Sequence, residues 1–249
     1  MARILGVLGT RRTVGATALC VHLAQAFSLG GIRSLIVDLD PVGGATRALG
    51  ASRSRSGLLR TILAGRSADP ESAMGMLLRS VDAGLDLIPA EATLQEDPLE
   101  EVDSLGLERA LRPLQAQYPI ILLEASSAVP WSQGLLERVC DHLLLPVSFG
   151  PFGLDGLEAL LRARQELKRP PRTDHVVMTA TEERVRRDGP PRKQSGFPES
   201  VQFCRTAIPW DEAIATAMTE GHTVFQEAPE GRGARAYAQL AKEILQHVG

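Results

Sequence analysis

The amino-acid sequence predicts an α/β fold with a mainly parallel β-sheet that is flanked by helices on both faces. Short apolar runs recur along the chain, and helical stretches separate them, which is the pattern of a buried parallel sheet. Apolar residues make up 44% of the 249 residues and aromatic residues only 4%, as is typical of an Ala- and Leu-rich α/β protein. This length suits one large domain, so we expect a single domain over residues 1–249.

The apolar runs predict the strands and the stretches between them predict the helices. The predicted strands are 3–8, 33–40, 84–90, 118–126, 141–147, 174–180 and, more weakly, 203–209. Apolar residues from Leu19 to Phe27 recur on one face of a helix that ends at Gly30 and Gly31. Further helices are predicted over 157–169 and 234–248. The polar stretch 181–200 contains three prolines and is predicted to be a mobile excursion rather than a domain boundary.

Composition excludes several classes of protein. No apolar run is long enough to span a membrane and no charged-then-apolar leader opens the chain, so we expect a cytoplasmic protein. The cysteines are far apart in apolar contexts, which favours core thiols over disulfides or a metal site. The five histidines are scattered and show no ligand spacing. A net charge of −3 argues against a wholly basic nucleic-acid binder but allows a local basic patch.

The stretch "GTRRTVGATA" at residues 9–18 connects the first strand to the first helix. A loop with small residues before a helix offers free backbone N–H groups and the positive end of the helix dipole to a phosphate. Thr17 stands where a hydroxyl can reach Mg²⁺. "DLDPVGGAT" at 38–46 places Asp38 and Asp40 at the end of the second strand, on the same side of the pleat.

Together these motifs resemble the ParA/MinD family of deviant Walker-type ATPases, and most closely its ParA branch. The family loop K-G-G-V-G-K-T-T aligns with residues 11–18, and the family motif D-x-D-P-Q-G-x-A-T aligns with 38–46. "YPIILLEASS" resembles the Walker B segment, with Glu124 at the aspartate position. Residues 84–94, 140–161 and 208–245 are similar to further family segments in the same order. The resemblance implies a P-loop NTPase-like fold with a deviant Walker A loop.

The resemblance also implies ATP or ADP with Mg²⁺ as cofactors, and it assigns roles to residues of this chain. Thr17, Asp38 and Glu124 would hold Mg²⁺, partly through water, and Asp40 would orient or activate the attacking water. Arg11, at the family's signature lysine, would reach across a dimer to the partner's phosphates. The nucleotide would contact Thr13, Val14, Gly15, Ala16, Thr17, Ala18 and Pro209.

The loop departs from the family pattern at its most important cation. Ala16 replaces the Walker lysine, and one lost charge-assisted contact weakens nucleotide binding by about tenfold to a hundredfold. Arg12 and Thr13 replace glycines, so the loop wraps phosphate less closely. Slow or absent hydrolysis is therefore expected. Each motif has an alternative interpretation. The alternatives are a vestigial loop at 9–18, a strand-ending Asp turn at 38–40 and a solvated strand-end carboxylate at Glu124.

The resemblance implies a homodimer with nucleotide between two loops, and a protein adaptor or cargo as partner. Residues 162–205 carry an excess of basic residues, which predicts non-specific DNA contacts or, alternatively, an ordinary solvated surface. The candidate DNA residues are Arg184, Arg186, Arg187, Arg192 and Lys193. With DNA contacts, nucleoid association is expected. The final helix has no basic amphipathic tail, so no direct membrane binding is expected.

The function that this resemblance implies is a partition or positioning protein, acting as a dimerising switch or scaffold with weak or absent ATP hydrolysis. Two alternatives stay open. One is a conventional ATP-hydrolysing ParA-type ATPase in which Arg11 or Arg12 substitutes for the lysine. The other is a nucleotide-independent regulatory pseudo-ATPase of a secretion, cellulose or pilus system.

Overall fold

A computed structural model describes residues 2–9, 14–67, 69, 71, 78–126, 128–148, 153–164, 173–180, 197–198 and 200–248. The strands are β1 (Arg3–Leu8), β2 (Ser34–Asp38), β3 (Arg79–Asp82), β4 (Leu85–Ile88), β5 (Ile120–Ala125), β6 (His142–Ser148), β7 (Thr173–Thr179) and β8 (Val201–Phe203). Within the described residues they form one eight-stranded sheet in the order β3-β4-β2-β5-β1-β6-β7-β8. All neighbours pair in parallel except β3, which runs antiparallel to β4.

Helices follow most of the strands. They are α1 (Ala16–Leu29), α2 (Gly44–Ala48), α3 (Leu58–Leu63), α4 (Thr93–Glu96), α5 (Ser104–Leu111), α6 (Ser132–Val139), α7 (Gly153–Arg164), α8 (Glu212–Glu220), α9 (Val224–Glu227) and α10 (Arg232–Val248), with a 3₁₀ turn at Leu114–Ala116. A helix between parallel strands lets each strand start from the same edge of the sheet. The carboxyl ends of the parallel strands therefore meet at one edge.

Two hydrophobic cores cover the two faces of the sheet. One packs α3, α5, α6 and α7 against alternate strand residues such as Leu35, Ile121 and Leu143. The other packs α1, α2 and α10 against the intervening positions, such as Ile36 and Leu122. Alternate residues of a strand point to opposite faces, which explains why whole strands read as unbroken apolar runs. The predicted α/β fold with helices on both faces is confirmed.

Individual elements differ from the sequence prediction at the sheet edges. The strand predicted at 203–209 is wrong: β8 is Val201–Phe203, and beyond it only isolated bonds, such as Ile208 N–H to Met178 O at 2.8 Å, follow β7. The edge strand β3 was not predicted from the sequence, because its side chains are exposed or partly buried and show no apolar pattern. Most of the 181–200 excursion lies outside the described residues.

Other predictions concern membranes and cysteines. In the described part of the chain, no helix is both long enough and apolar enough to cross a membrane. Cys20, Cys140 and Cys204 are buried and unpaired, which confirms the prediction of core thiols. Burial raises the pKa of each of these thiols above its ordinary value.

Candidate functional site

The motifs of the sequence meet where three adjacent strands end. β5 lies between β1 and β2, and the register places Glu124 beside Asp38 on one side and beside Val7 on the other. The end of β1, where the loop starts, therefore lies next to Glu124 and one strand away from Asp38. In open parallel sheets, ligands bind at this edge, outside the carboxyl ends of the strands.

The loop enters α1 through a left-handed residue. Gly15 has φ of 84°, a conformation that glycine adopts at little cost, and α1 begins at the next residue, Ala16. Among the described residues no side-chain bond caps this N-terminus, so the backbone N–H groups of the first turn are available to an anion. The preceding residue, Val14, is held by the last residue of β7, because the Thr179 hydroxyl donates to its carbonyl at 2.7 Å.

Thr17 connects α1 to the acidic strand ends. Its hydroxyl donates to Oε1 of Glu124 at 2.8 Å, so its lone pairs remain available to a cation. Gly44, the first residue of α2, packs against this pair. A Cβ at Gly44 would lie 2.7 Å from the Thr17 hydroxyl oxygen and 3.5 Å from Oε1 of Glu124. Only glycine fits there without displacing the threonine.

Asp38 is fully buried and hydrogen-bonded by α2. Oδ2 of Asp38 accepts the Thr46 backbone N–H at 2.7 Å and the Thr46 hydroxyl at 2.6 Å, and Oδ1 accepts the Asp40 N–H at 3.1 Å. The Thr46 hydroxyl also accepts the N–H of Ala90, just beyond β4, at 2.8 Å. Asp38 thus fixes the position of α2 against the sheet.

Burial shifts the acid–base behaviour of this pair. Desolvation raises the pKa of Asp38 from 3.8 to about 6, and the hydrogen bonds from Thr46 partly oppose that rise. Desolvation and the neighbouring charge of Asp38 raise the pKa of Glu124 well above its usual range. Burial raises the pKa of the Cys20 thiol, on α1, and the charges of the same two carboxyl groups raise it further.

Asp40 is only partly buried and stands at the turn that follows β2. Its Oδ1 accepts the N–H of Val42 at 2.9 Å, and its carbonyl accepts the N–H of Gly43 at 2.8 Å. One carboxylate oxygen therefore stabilises the turn, as the strand-ending alternative predicts. The charge of Asp40 also acts to raise the pKa of both buried acids, so it lies close to them.

The cluster has the chemistry of a cation site. Oε2 of Glu124 is buried, and the described residues give it no hydrogen-bond partner of normal geometry. Two buried carboxyl groups with raised pKa values, one of them bonded to the Thr17 hydroxyl, form an oxygen donor set of the kind Mg²⁺ prefers. A divalent cation at this place would offset their mutual repulsion. The donors present therefore fit Mg²⁺ held by Thr17 and the acid pair.

Comparison with known proteins identifies the family of the chain. A family model described as an AAA domain matches residues 2–175. The chain belongs to the ParA/MinD family of Walker-type ATPases. Among ParA relatives, the chromosome-partitioning ATPase Soj of Thermus thermophilus is 29% identical, covering 99% of this chain and 96% of the relative. The sporulation initiation inhibitor protein Soj of Bacillus subtilis is 26% identical, covering 98% of each chain.

Solved structures of ParA/MinD proteins share the fold. The septum site-determining protein MinD of Pyrococcus horikoshii, complexed with Mg-ADP, superposes with a TM-score of 0.77 at 19% identity, over 100% of this chain and 98% of MinD. At that identity the likeness concerns the fold alone. It agrees with the sheet order and with helices on both faces.

The structure brings some of the predicted site residues together. Thr17, Asp38 and Glu124 form one cluster beside the start of α1 at Gly15 and Ala16. Ala18 follows in the first turn of that helix. Arg11 and Thr13 lie outside the described residues, as do the candidate DNA residues Arg184, Arg186, Arg187, Arg192 and Lys193.

Pro209 is buried just after Ile208, whose N–H bonds to Met178 in β7. This places it near the strand end that carries Thr179, which anchors the loop. Its contact with a nucleotide remains a prediction.

The sequence did not identify Gly44, Thr46 and Thr179 as parts of the site. Gly44 and Thr46 belong to the quoted motif at 38–46, so the motif itself was the available signal. Thr179 ends a strand that reads only as a buried apolar run. Its hydroxyl bonds to the loop across 165 positions of sequence, a contact that no local pattern encodes.

Proposed function

We propose that this protein is a ParA-like partition or positioning protein with a degenerate nucleotide site. It would act as a dimerising switch or scaffold for DNA or a protein assembly, with weak or absent ATP hydrolysis. The observation that supports it best is the juxtaposition of an uncapped helix N-terminus with the Thr17–Glu124 hydrogen bond at 2.8 Å. The partition role itself rests on kinship with the Soj proteins.

The proposed division of work combines the geometry of the described residues with the roles that the family resemblance implies. Backbone N–H groups at the start of α1 bind the phosphates, and Thr17, Asp38 and Glu124 hold the cation. Bound ATP and Mg²⁺ would supply the reactive phosphoryl group and the balancing charge. Asp40, partly exposed at the end of β2, orients water, although one of its oxygens is engaged in the turn. Pro209 contacts the nucleotide beyond β7.

We expect the protein to bind nucleotide but to hydrolyse it slowly or not at all, because Ala16 carries no charge. Helix N–H groups and a cation favour a bound phosphate without any lysine. Transition-state stabilisation is more demanding, because it needs positive charge where negative charge develops on the transferred group. Arg11 is the residue of the loop proposed to supply charge across a dimer.

The test is titration of the protein with a fluorescent ATP analogue and Mg²⁺, with dimer mass and phosphate release measured in parallel. Ala16→Lys, which restores the missing cation, is the informative variant. We expect wild type to bind, to dimerise with nucleotide and to release little phosphate, and Ala16→Lys to bind about tenfold to a hundredfold more tightly. Ala16→Ser, which adds no charge, is the matched control.

Each outcome decides between the proposal and an alternative. Sustained turnover by wild type would contradict the proposal and favour the conventional ATPase. Binding by Ala16→Lys only, combined with a wild-type protein that dimerises without nucleotide, would favour the regulatory pseudo-ATPase. Arg11→Ala should reduce nucleotide-dependent dimer mass if this arginine acts across the dimer.

DNA contact is part of the proposal and has its own test. Arg186→Glu combined with Arg187→Glu and Arg192→Glu should abolish retention on non-specific DNA and flatten its salt dependence. Unchanged retention in the triple variant would remove DNA from the proposed function. The exposed Arg55→Glu, on another part of the chain, is a control for a charge reversal outside the candidate DNA residues.

A further inference from the structure

A second cluster of ligand-type side chains lies outside the candidate nucleotide site, where α8 gives way to α9. Glu220 is the last residue of α8, His222 follows the turn, and Glu227 ends α9. One ligand atom from each residue lies within 4.8 Å of the others. Nε2 of His222 is 3.0 Å from Oε2 of Glu227. The sequence alone gave no indication of it, because the three residues show no familiar spacing.

The backbone fixes all three positions before any ligand arrives. Gly221 ends α8 in the left-handed conformation with φ of 81°, and the N–H of His222 bonds to the Ala217 carbonyl at 3.0 Å. The next turn is closed by a capping box, in which Thr223 and Gln226 bond to one another. Thr223 is buried. The histidine is therefore carried on two rigid helix ends rather than on a loose loop.

A contact between two backbones anchors this turn to the rest of the molecule. A Cβ at Gly221 would lie 2.7 Å from the Cα of Gly50, so the two glycines touch directly. Gly50 follows α2, whose Thr46 binds Asp38. The cluster is thus connected, through Gly50, to the helix α2 that binds Asp38 of the candidate nucleotide site.

We propose that Glu220, His222 and Glu227 bind a divalent transition-metal ion, with Zn²⁺ the best match. An imidazole with two carboxylates suits zinc, whereas Ca²⁺ and Mg²⁺ favour oxygen donors alone. A tetrahedral ion with bonds of about 2.0–2.1 Å separates its ligand atoms by about 3.3 Å. No two of the three ligand atoms are more than 4.8 Å apart, so each pair needs to approach by at most about 1.5 Å, and water completes the coordination.

The expected effect of the ion is to join the end of α8 to the end of α9. All three side chains reach solvent, so the ion can enter without unfolding. Binding to the native state alone stabilises it by mass action. The proposal does not depend on nucleotide binding, and it is tested without nucleotide.

The experiment is calorimetric titration of tag-free, chelator-treated protein with ZnCl₂, together with the thermal midpoint at each zinc concentration. We expect one ion per chain and a rise in the midpoint. Glu220→Gln, His222→Gln and Glu227→Gln should each weaken binding by about tenfold or more. Glu212→Gln removes a carboxylate from the first turn of the same helix and should bind as wild type does.

Titration with Co²⁺ identifies the donors. A visible band without an intense thiolate band in the near ultraviolet agrees with nitrogen and oxygen ligands, while a thiolate band would assign the ion to a cysteine and overturn the proposal. The absence of saturable zinc binding, or equal affinity in all four variants, would also overturn it. Circular dichroism checks that each variant is folded, so a loss of binding is not mistaken for a loss of structure.

Discussion

The Thr46 hydroxyl offers a direct test of how the acidic strand end is held. Thr46→Val keeps the shape of the side chain but removes a donor to Asp38 at 2.6 Å and an acceptor for the Ala90 N–H at 2.8 Å. All three residues are buried. A hydrogen bond to a charged group contributes about 1.5–3 kcal/mol, and a buried unpaired N–H costs about 1–3 kcal/mol.

These two losses set the size of the expected effect. Because the Thr46 backbone N–H still binds Asp38, the lower ends of both ranges apply, and Thr46→Val should lower the free energy of unfolding by about 2.5 kcal/mol. Urea denaturation measures it. Thr46→Ser keeps the hydroxyl and loses one buried methyl group, so it should cost only about 1 kcal/mol. A Thr46→Val protein as stable as wild type, or a serine variant equally damaged, would refute the reasoning.

Three further changes test the packing and charge of this region. Gly44→Ala should lower the free energy of unfolding by about 1–3 kcal/mol, because its Cβ would overlap the threonine hydroxyl of α1. The same overlap should weaken Mg²⁺-dependent nucleotide binding. A variant with unaltered stability and binding would contradict that packing. Gly221→Ala should lower the thermal midpoint far more than Gly31→Ala, since both glycines are left-handed but only Gly221 meets another backbone; equal effects would contradict the close contact. Asp38 binds its proton more tightly in the folded protein, where its pKa is about 6, than in the unfolded chain. The protonated carboxyl therefore contributes fully to the free energy of unfolding below the unfolded pKa, and this contribution is lost as the pH rises through about 6. Glu124→Gln, which removes the other buried carboxyl group whose pKa is raised, should flatten the total decline in unfolding free energy between pH 4 and pH 7; an unchanged decline would contradict a contribution from Glu124.

The sequence was informative wherever burial and local geometry impose a pattern. Central strands such as β5 are buried on both faces, so their unbroken apolar runs were recognisable. The loop before α1 was recognisable because Gly15 and Thr17 keep family positions around a helix start. Edge strands follow weaker rules, which is why β3 was missed and the last strand was placed too late in the chain.

Long-range side-chain contacts were not predictable in the same way. Burial of both Asp38 and Glu124, and the shift in their pKa values, arises from strand order, which places β2 beside β5. The histidines, which look scattered, include two close pairs. His175 Nε2 lies 3.3 Å from His142 Nδ1 across neighbouring strands, and the ring of His247 stacks on that of His175 with centroids 5.6 Å apart. Such contacts depend on the register between strands that are distant in sequence. The residue spacing within a single strand does not predict that register.

The bond from Thr179 to Val14 bears on the order in which the molecule assembles. The hydroxyl reaches the loop carbonyl at 2.7 Å and the Val147 carbonyl at 3.2 Å, so it links the loop to both β6 and β7. A growing chain makes β1 and α1 early, but it lacks this anchor until Thr179 has been synthesised and β7 has joined the sheet. The segment that leads from Val14 into α1 therefore gains this anchor only after 179 of the 249 residues have been synthesised.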